Sequence, residues 1–340
     1  MSYARDSFEA VLTTLAVDPS TEFGAAGARV TVIRRVDGPF SIVRRVSIQT
    51  PSRTTFAFVK IIKPRSQQED ELARADRMLN REYRATQELY SALRRDDEIG
   101  AVRPIACLPQ HRALVTEEVP GRPFGELLEE ASASTDQLCL IASRVGKWVH
   151  SYQQIGAVPG AVEIGERRQY LDDRLALLEG RVLSASDRRA TLARFDRMAQ
   201  DIGMASVPAV PIHADLGPMN LMVGDDGRVT ALDFTMAKTG AIHHDLSHVY
   251  FHLELISARH RHKDSMVRAL QSAMLRGYSP SLSARDPLFR MMLQQHAVCH
   301  VALLAERRVP VIDLAYRWFL RRRWQLCDQM AMLEPALRVA

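Results

Sequence analysis

The sequence predicts an α+β protein with two unequal parts, because the spacing of apolar residues changes along the chain. From Arg29 to Ile62, three β-rich segments are separated by turns, which favours an antiparallel sheet. The segment from Gln67 to Arg94 has apolar residues at helical spacing and contains neither Pro nor Gly, so it predicts one long helix. From Phe124 onward the spacing is mainly helical, and one of the predicted helices runs from Tyr170 to Leu183. A small sheet-containing part followed by a larger helical part is therefore expected.

Composition sets the broad class of the protein. With 340 residues, the chain is long enough for two lobes that each have a core. Apolar residues make up 46% and charged residues 25%, which is typical of a soluble globular protein. The first residues include Arg5, Asp6 and Glu9, and no apolar run approaches the length of a membrane span, so no signal peptide or integral membrane association is expected.

Cysteine usage and net charge indicate the compartment and the kind of partner. Four cysteines are widely scattered without a CxxC pair: Cys107, Cys139, Cys299 and Cys327. They predict reduced thiols and a cytoplasmic location. The net charge of +5 is compatible with an anionic partner such as a nucleotide. No zinc-finger spacing, RNP-like motif or continuous basic arm is present, so nucleic acid is not an expected partner.

The segment from Ile212 to Phe234 holds the residues most suited to catalysis. Leu221–Val223 and Val229–Leu232 read as two short strands joined by a turn with two glycines. Such a hairpin would place Asn220, before the first strand, beside Asp233, after the second. An amide and a carboxylate oxygen are ligands for a hard cation such as Mg²⁺.

Asp215 precedes Asn220 by five residues, in a turn made tight by Gly217 and Pro218. Its carboxylate would reach a substrate hydroxyl near the metal. With His213, these residues match the template His-x-Asp-x-x-x-x-Asn followed by a metal-binding Asp, which enzymes of phosphoryl transfer use. An isolated His-x-Asp would be interpreted as a backbone cap. The amide at the correct offset and the hairpin favour phosphoryl transfer.

The run HADLGPMNLMV resembles the catalytic loop of the aminoglycoside phosphotransferases and choline kinases, which share the protein-kinase-like fold. This resemblance implies that Asp215 is the catalytic base and that Asn220 and Asp233 bind magnesium. It also implies that His213 braces the loop and that Asp245 steadies it. The implied activity is ATP-dependent phosphorylation of a small-molecule hydroxyl, with ATP and Mg²⁺ as cofactors.

The resemblance also implies a bilobal arrangement. Residues 1–28 would form an N-terminal helix and loop, residues 29–118 a small nucleotide-binding lobe with an antiparallel sheet and one long helix, and residues 119–340 a larger, mainly helical lobe with the catalytic loop and acceptor site. The strand that ends near Glu118 precedes Pro120-Gly121 and resembles the hinge between the lobes. Backbone groups of Glu117 and Val119 would then contact adenine.

Two features of the small lobe concern the nucleotide phosphates. The turn at Asp37-Gly38-Pro39 would cover them in a kinase-like fold, but it offers a single glycine and fits an ordinary hairpin equally well. No nucleotide contact is assigned there. A strand lysine held by a helix glutamate is also required by the template, and Lys60 and Glu82 are the predicted pair. Lys63 with Glu71 or Glu88 is the alternative.

A metal-dependent phosphohydrolase of the HD type is a competing enzymatic interpretation. His244, His248 and His252 are four residues apart and would share one face of a helix, a spacing that can bind zinc. The run His243-His244-Asp245 resembles the paired His-Asp of that class. Its further ligands would have to be His213 and Asp264, and neither has a persuasive sequence context.

A kinase-like protein that binds nucleotide without turnover is the non-enzymatic alternative. The presence of all the expected carboxylates, the amide and the lysine favours an active enzyme instead.

The charge of the C-terminal part bears on the acceptor. From residue 284 to the end, the chain has nine arginines and five acidic residues. A site for a polycationic aminoglycoside should be rich in carboxylates, so a neutral or anionic acceptor is predicted, such as a sugar, a polyol or a phosphorylated metabolite. An aminoglycoside is the less favoured acceptor. The segment 315–324, which mixes aromatics with arginines, is interpreted as a packed final helix in preference to a membrane-surface contact.

Overall fold

The computed structural model describes residues 2–17, 29–38, 40–51, 53–130, 134–156, 159–260 and 263–305. Cys327, the segment 315–324 and most of the basic C-terminal stretch lie outside these ranges. Cys107, Cys139 and Cys299 are free thiols. Within the described ranges, no helix is both long enough and apolar enough to cross a membrane.

The N-terminal half is built on a five-stranded antiparallel sheet, as the alternating pattern predicts. Its strands are β1 (Arg29–Asp37), β2 (Ser41–Gln49), β3 (Thr54–Ile62), β5 (Pro104–Leu108) and β6 (Ala113–Glu117), in the order β1-β2-β3-β6-β5. Helix α1 (Ser2–Val17) packs against β1, and α2 (Glu69–Leu93) contacts β3, β5 and β6. The long helix predicted from Gln67 to Arg94 is confirmed to within two residues at each end.

The C-terminal half is mainly helical. Its helices are α3 (Phe124–Glu129), α4 (Thr135–Gln154), α5 (Ile164–Ala176), α6 (Ala185–Ile202), α7 (His244–Arg259), α8 (Asp264–Tyr278) and α9 (Pro287–Ala305). Helices α4 and α8 cross so closely that a side chain at Gly146 would overlap the backbone of α8, and one at Gly277 the backbone of α4. At the centre, Trp148 is fully buried and donates its indole N–H to the Gly100 carbonyl at 2.9 Å.

Two small sheets attach the catalytic segment to these helices. One contains β4 (Ile99–Ala101), β7 (Arg122–Pro123), β10 (Leu221–Val223) and β11 (Val229–Ala231), in the order β4-β11-β10-β7. The other contains β8 (Ala161–Glu163), β9 (Ser206–Ile212) and β12 (Lys238–Ala241), in the order β12-β9-β8. Together they fix both ends of the segment from Ile212 to Lys238.

One predicted helix is displaced. The apolar spacing predicted a helix from Tyr170 to Leu183, but α5 ends at Ala176 and the chain then turns. Gly180 has a φ of 80°, a left-handed conformation that glycine adopts readily, and its N–H donates to the Leu183 carbonyl at 2.9 Å.

The lobe boundary at Glu118 stays a prediction. Strand β6 ends one residue before it.

Candidate active site

The predicted hairpin brings the ends of the catalytic segment together. Strands β10 and β11 pair antiparallel with Leu221 opposite Ala231. The pairing continues one step further, because the Leu232 N–H donates to the Asn220 carbonyl at 2.9 Å. Asp233 follows directly and adopts a left-handed backbone conformation with a φ of 66°. Asn220 and Asp233 therefore flank the same end of the hairpin.

The loop before the hairpin is shaped by its own backbone. The Gly217 N–H and the Asn220 side-chain Nδ2 both donate to the Asp215 carbonyl, each at 2.9 Å. Pro218 begins a turn of 3₁₀ helix that ends at Asn220. These bonds fix the Asn220 amide so that its oxygen, an acceptor, is not used by the loop. The Asp215 side chain remains on the exposed side of the turn.

His213 and Asp245 hold the start of this loop from inside the protein. The Asp245 carboxylate is fully buried and accepts the N–H groups of His213 at 2.6 Å and Ala214 at 3.0 Å. His213 Nε2 lies 2.9 Å from the Leu232 carbonyl, and its Nδ1 accepts the Asp215 N–H at 3.4 Å. His213 thereby links the loop to the hairpin. The positions of both residues fit the bracing role implied by the resemblance.

The electrostatics of Asp245 agree with a fixed anion. Burial by itself raises the pKa of this carboxyl group. Hydrogen bonding to His244, the charges of His244 and His213, and the His213 N–H outweigh burial and hold the pKa below its usual range.

Lys60 lies among two carboxylates and a hydroxyl. Its Nζ is 2.8 Å from Glu82 Oε1, 2.6 Å from Asp233 Oδ1 and 2.6 Å from Thr235 Oγ1. The predicted pairing with Glu82 thus forms. The alternative pair does not, because Lys63 donates to the Gly38 carbonyl at 2.8 Å.

Thr235 is a member of this cluster that the sequence did not single out as functional. Its Oγ1 donates to Glu82 Oε2 at 2.8 Å and lies 2.6 Å from Asp233 Oδ1. We define Lys60, Glu82, Asp233 and Thr235 as the lysine cluster. A hydroxyl two residues after a metal-binding aspartate was the available signal.

The pKa directions in the lysine cluster follow from sharing one cation between two carboxylates. Burial lowers the pKa of Lys60, but the charges of Glu82 and Asp233 more than offset it and raise the pKa. Burial raises the pKa of Glu82, and the nearby Asp233 adds to this effect against the opposing charge of Lys60. Asp233 is also penalised by burial, yet Lys60 and Thr235 lower its pKa. Lys60 and Asp233 are therefore charged at neutral pH.

Asp215 has a different environment from Asp233. Partial desolvation of its carboxyl group raises the pKa, the charge of His213 opposes this, and Asp233 and Asp245 raise it further. No cation pairs with Asp215 among the described residues. An unpaired carboxylate with a raised pKa is suited to accept a proton.

The oxygen atoms of Asn220 and Asp233 fit a magnesium ion. Asp233 Oδ1 is occupied by Lys60 and Thr235, whereas Oδ2 has no hydrogen-bond partner within the described residues. The Asn220 side chain donates through Nδ2, which leaves its oxygen available. No group of three or more His, Cys, Asp or Glu side chains in the described residues could hold a metal ion. Two protein ligands suffice for Mg²⁺ when phosphate oxygens and water complete the shell.

The two residues predicted to contact adenine differ in how many of their polar groups already form hydrogen bonds within the protein. The Glu117 N–H donates to the Arg103 carbonyl at 2.9 Å, and the Glu117 carboxylate pairs with the Arg103 guanidinium at 2.7 Å. The backbone N–H and carbonyl of Val119 make no backbone hydrogen bond within the described residues. An adenine contact at either residue stays a prediction.

The histidines considered for a metal site pack against one another instead. His244, His248 and His252 lie along α7, and His296 from α9 stacks on His248 with ring centroids 4.7 Å apart. Asp264, the proposed downstream ligand, accepts a hydrogen bond from Ser257. The described residues contain no three-residue metal group there, so the interpretation as an HD-type phosphohydrolase site has no structural support.

The chain also matches a known protein family. Residues 33–288 match the model of the phosphotransferase enzyme family, designated APH. No curated protein sequence matches the chain.

Solved structures with a similar fold cover nearly the whole chain. A choline/ethanolamine kinase family protein from Mesorhizobium loti is 15% identical with a TM-score of 0.56, and the match covers 95% of this chain and 94% of that one. A glucosamine kinase is 16% identical with a TM-score of 0.53, covering 91% and 98%. A complex of APH(2")-IIia with GDP and kanamycin is 12% identical with a TM-score of 0.54, covering 96% and 98%. These similarities confirm the predicted bilobal, protein-kinase-like α+β fold.

Proposed function

Since the chain belongs to the phosphotransferase enzyme family, we propose that it transfers the γ-phosphate of ATP to a hydroxyl group of a small molecule. The observation that carries this proposal is the lysine cluster beside the Asp215 loop. Phosphoryl transfer to an alcohol requires a cation for the phosphates, a carboxylate oxygen for the metal and a carboxylate that can accept a proton. Lys60, Asp233 and Asp215 offer these three groups.

Each residue has a distinct proposed role. Lys60 carries a positive charge that would neutralise phosphate oxygens, and Glu82 would hold it in place. Asn220 and Asp233 would bind Mg²⁺, which supplies charge neutralisation of the phosphates when bound. Asp215 would orient the acceptor hydroxyl and accept its proton.

The nucleotide would lie at the connection between the two halves of the chain. The unused backbone groups of Val119 support an adenine contact there. The similar structure of APH(2")-IIia is a complex with GDP and kanamycin, which supports a nucleotide as the phosphate donor in the proposed reaction. ATP as the phosphate donor follows from the resemblance of the catalytic loop, and a cytoplasmic location from the scattered, unpaired cysteines; both are part of the proposal.

The acceptor is proposed to be neutral or anionic. The basic balance of residues 284–340 supports this choice, because like charges would repel a polycationic substrate. Residues around Asp215 do not add a cluster of carboxylates facing outward, since Asp245 is buried and Asp233 contacts Lys60. Sugars and polyols are therefore the first compounds to test, and kanamycin-like compounds are the contrasting class.

Acceptor-stimulated release of ADP, measured across a panel of sugars, polyols and aminoglycosides, tests this function. With Mg²⁺, at least one hydroxyl compound should stimulate release, and EDTA should abolish it. Asp215→Ala should lower turnover by about a thousandfold, because the proton acceptor is lost, while nucleotide binding is retained. The matched control is Asp225→Ala, an exposed aspartate in the hairpin turn.

The outcomes separate the candidate functions. Nucleotide binding without release of ADP for any acceptor would support the non-catalytic alternative. Full turnover in Asp215→Ala would remove this residue from the mechanism. Turnover-competent binding of kanamycin-like compounds alone would overturn the neutral or anionic acceptor.

A further inference from the structure

A cavity outside the candidate active site lies against α2, the helix that holds Glu82, on a face different from the one that carries Glu82. Its volume is about 580 Å³, which is within the usual size of small-molecule sites. It is open to solvent and is lined by α2, by the end of α4, and by the paired segments around Pro211 in β9 and Lys238 in β12. We name it the α2 cavity. None of Lys60, Asp215, Asn220 or Asp233 lines it.

The wall of the α2 cavity is strongly basic. Arg77, Arg81 and Arg84 follow one another at spacings of four and three residues on α2, which places them on one face of the helix. Lys238 approaches from β12. Within the described parts of the chain, none of these four cations forms an ion pair or a side-chain hydrogen bond. A single carboxylate, Glu88, also lines the cavity.

The α2 cavity gathers four such cations in one place. Some other surface arginines pair with acids, as Arg122 does with Glu130 and Arg188 with Glu179. Cations gathered on one helix face repel one another unless anions lie between them. An anionic ligand would supply the missing countercharge.

A tyrosine hydroxyl lines the same cavity. Tyr152 is only 5% exposed, and its hydroxyl makes no hydrogen bond to another described residue. Its ring is fixed by contacts with Trp148 at 5.2 Å and Phe234 at 5.9 Å. Burial, together with the charges of Asp245 and Glu88, raises its pKa, so the hydroxyl keeps its proton and can donate. A rigid donor that opens into the cavity without a partner among the described residues is available to an acceptor bound there.

The α2 cavity is separate from the lysine cluster. Glu82 belongs to the buried stripe of α2 with Leu79 and Thr86, and it points to Lys60. Arg77 and Arg84 are exposed on a different face of the helix. A ligand in the α2 cavity therefore cannot be the nucleotide bound by Lys60.

We propose that the α2 cavity binds a small molecule that carries phosphate groups. Arginine guanidinium groups donate paired hydrogen bonds that match phosphate oxygens, and three of them face this cavity. Tyr152 donates a further hydrogen bond from the floor. The apolar side chains of Ala85, Leu89 and Ile155 provide a surface for the carbon skeleton of the ligand.

Isothermal titration calorimetry of the full chain tests this proposal, with inorganic pyrophosphate and glucose 6-phosphate as probes. EDTA is present, so that no divalent metal assists binding at Asp233. Saturable binding is expected. The double variant Arg77→Gln/Arg84→Gln should weaken it by about tenfold or more, because two guanidinium contacts are lost.

Three comparisons make the result specific. Arg95→Gln/Arg189→Gln removes the same charge from exposed arginines outside the cavity and should change affinity by less than about twofold, since distant surface charges are screened. Lys60→Met should leave affinity unchanged. Tyr152→Phe removes only the hydroxyl that opens into the cavity and should weaken binding by about threefold to tenfold.

Several results would overturn the proposal. These are the absence of saturable binding, equal weakening by both double-arginine variants, or loss of binding in Lys60→Met with retention in the cavity variant. Circular dichroism of each variant checks that it is folded. Because no turnover is measured, failure of this experiment would leave the proposed phosphotransferase activity unaffected, and failure of the ADP assay would leave this binding site in place.

Discussion

Two buried carboxylates near the catalytic loop, Glu82 and Asp245, are stabilised in different ways. Glu82 is 4% exposed and its partners are side chains, the Lys60 ammonium and the Thr235 hydroxyl. Asp245 is fully buried and accepts two backbone N–H groups, from His213 and Ala214. The pKa of Glu82 is raised by burial, whereas that of Asp245 is lowered despite burial.

The contrast between backbone and side-chain partners separates a carboxylate with a fixed position, Asp245, from one whose partner can move, Glu82. Backbone amides cannot leave Asp245 without unfolding the loop, so this carboxylate belongs to the framework. Lys60 contacts both Glu82 and Asp233, and in the proposed reaction it would exchange Asp233 for phosphate oxygens while Glu82 retains it. Glu82 is therefore expected to matter for turnover, and Asp245 for folding.

The largest effect is expected at Asp245. Asp245→Ala leaves the N–H groups of His213 and Ala214 buried without acceptors, so the free energy of unfolding should fall by about 3–5 kcal/mol. Urea unfolding followed by tryptophan fluorescence measures this change. Asp225→Ala, which alters an exposed aspartate, should change the free energy of unfolding by less than about 0.5 kcal/mol. Equal effects of the two substitutions would contradict a framework role.

The contribution of Asp245 to stability should also depend on pH, in a direction set by its lowered pKa. The folded-state pKa of Asp245 is lowered from 3.8, so its contribution to stability is present above that pH and is lost as the pH falls through the folded-state pKa. The stability difference between the wild-type protein and Asp245→Ala should therefore shrink below about pH 4. Urea unfolding curves of both proteins from pH 3 to 7 measure this difference. A stability difference that stays constant over this range would contradict the prediction.

A smaller effect, and a different kind of effect, is expected at Glu82. Glu82→Gln keeps the shape and an acceptor for Lys60, so the free energy of unfolding should change by about 1 kcal/mol or less. Turnover should fall by about 10- to 100-fold, because Lys60 is held less accurately against the phosphates. Steady-state ADP release and urea unfolding, measured together, test the pair of outcomes. A large loss of stability with normal turnover in the folded fraction would reverse the assignment.

The smallest effect is expected at Thr235. Thr235→Val removes the hydroxyl that contacts Lys60, Glu82 and Asp233, so turnover should fall by about threefold to tenfold, the equivalent of one hydrogen bond. Thr235→Ser retains the hydroxyl and is the matched control. If both variants lose activity equally, the methyl group and not the hydroxyl is the important feature.

The sequence predicted those parts of the protein in which local pattern and tertiary contact agree. The alternating strands β1 to β3 and the uninterrupted helix α2 follow from residue spacing alone. The hairpin of Asn220 and Asp233 was also predictable, because two glycines mark its turn and the spacing on each side is short.

Other features depend on contacts between distant residues. Strand β9 lies at the centre of its sheet although it contains Pro208 and Pro211, which lack the N–H groups that a central strand normally uses. No local pattern predicts it. Thr235 becomes notable only when Lys60, 175 residues earlier, approaches its hydroxyl. His296 likewise joins His248 from a helix far along the chain.

The stacked pair of His248 and His296 limits the acidity that the helical half can tolerate. For His248, burial and the charges of His296, His252 and His244 hold the pKa well below 6.5, with Asp245 opposing them, and burial lowers the pKa of His296 similarly. Unfolded histidines take up protons more readily, so the free energy of unfolding should fall as the pH drops below 6.5.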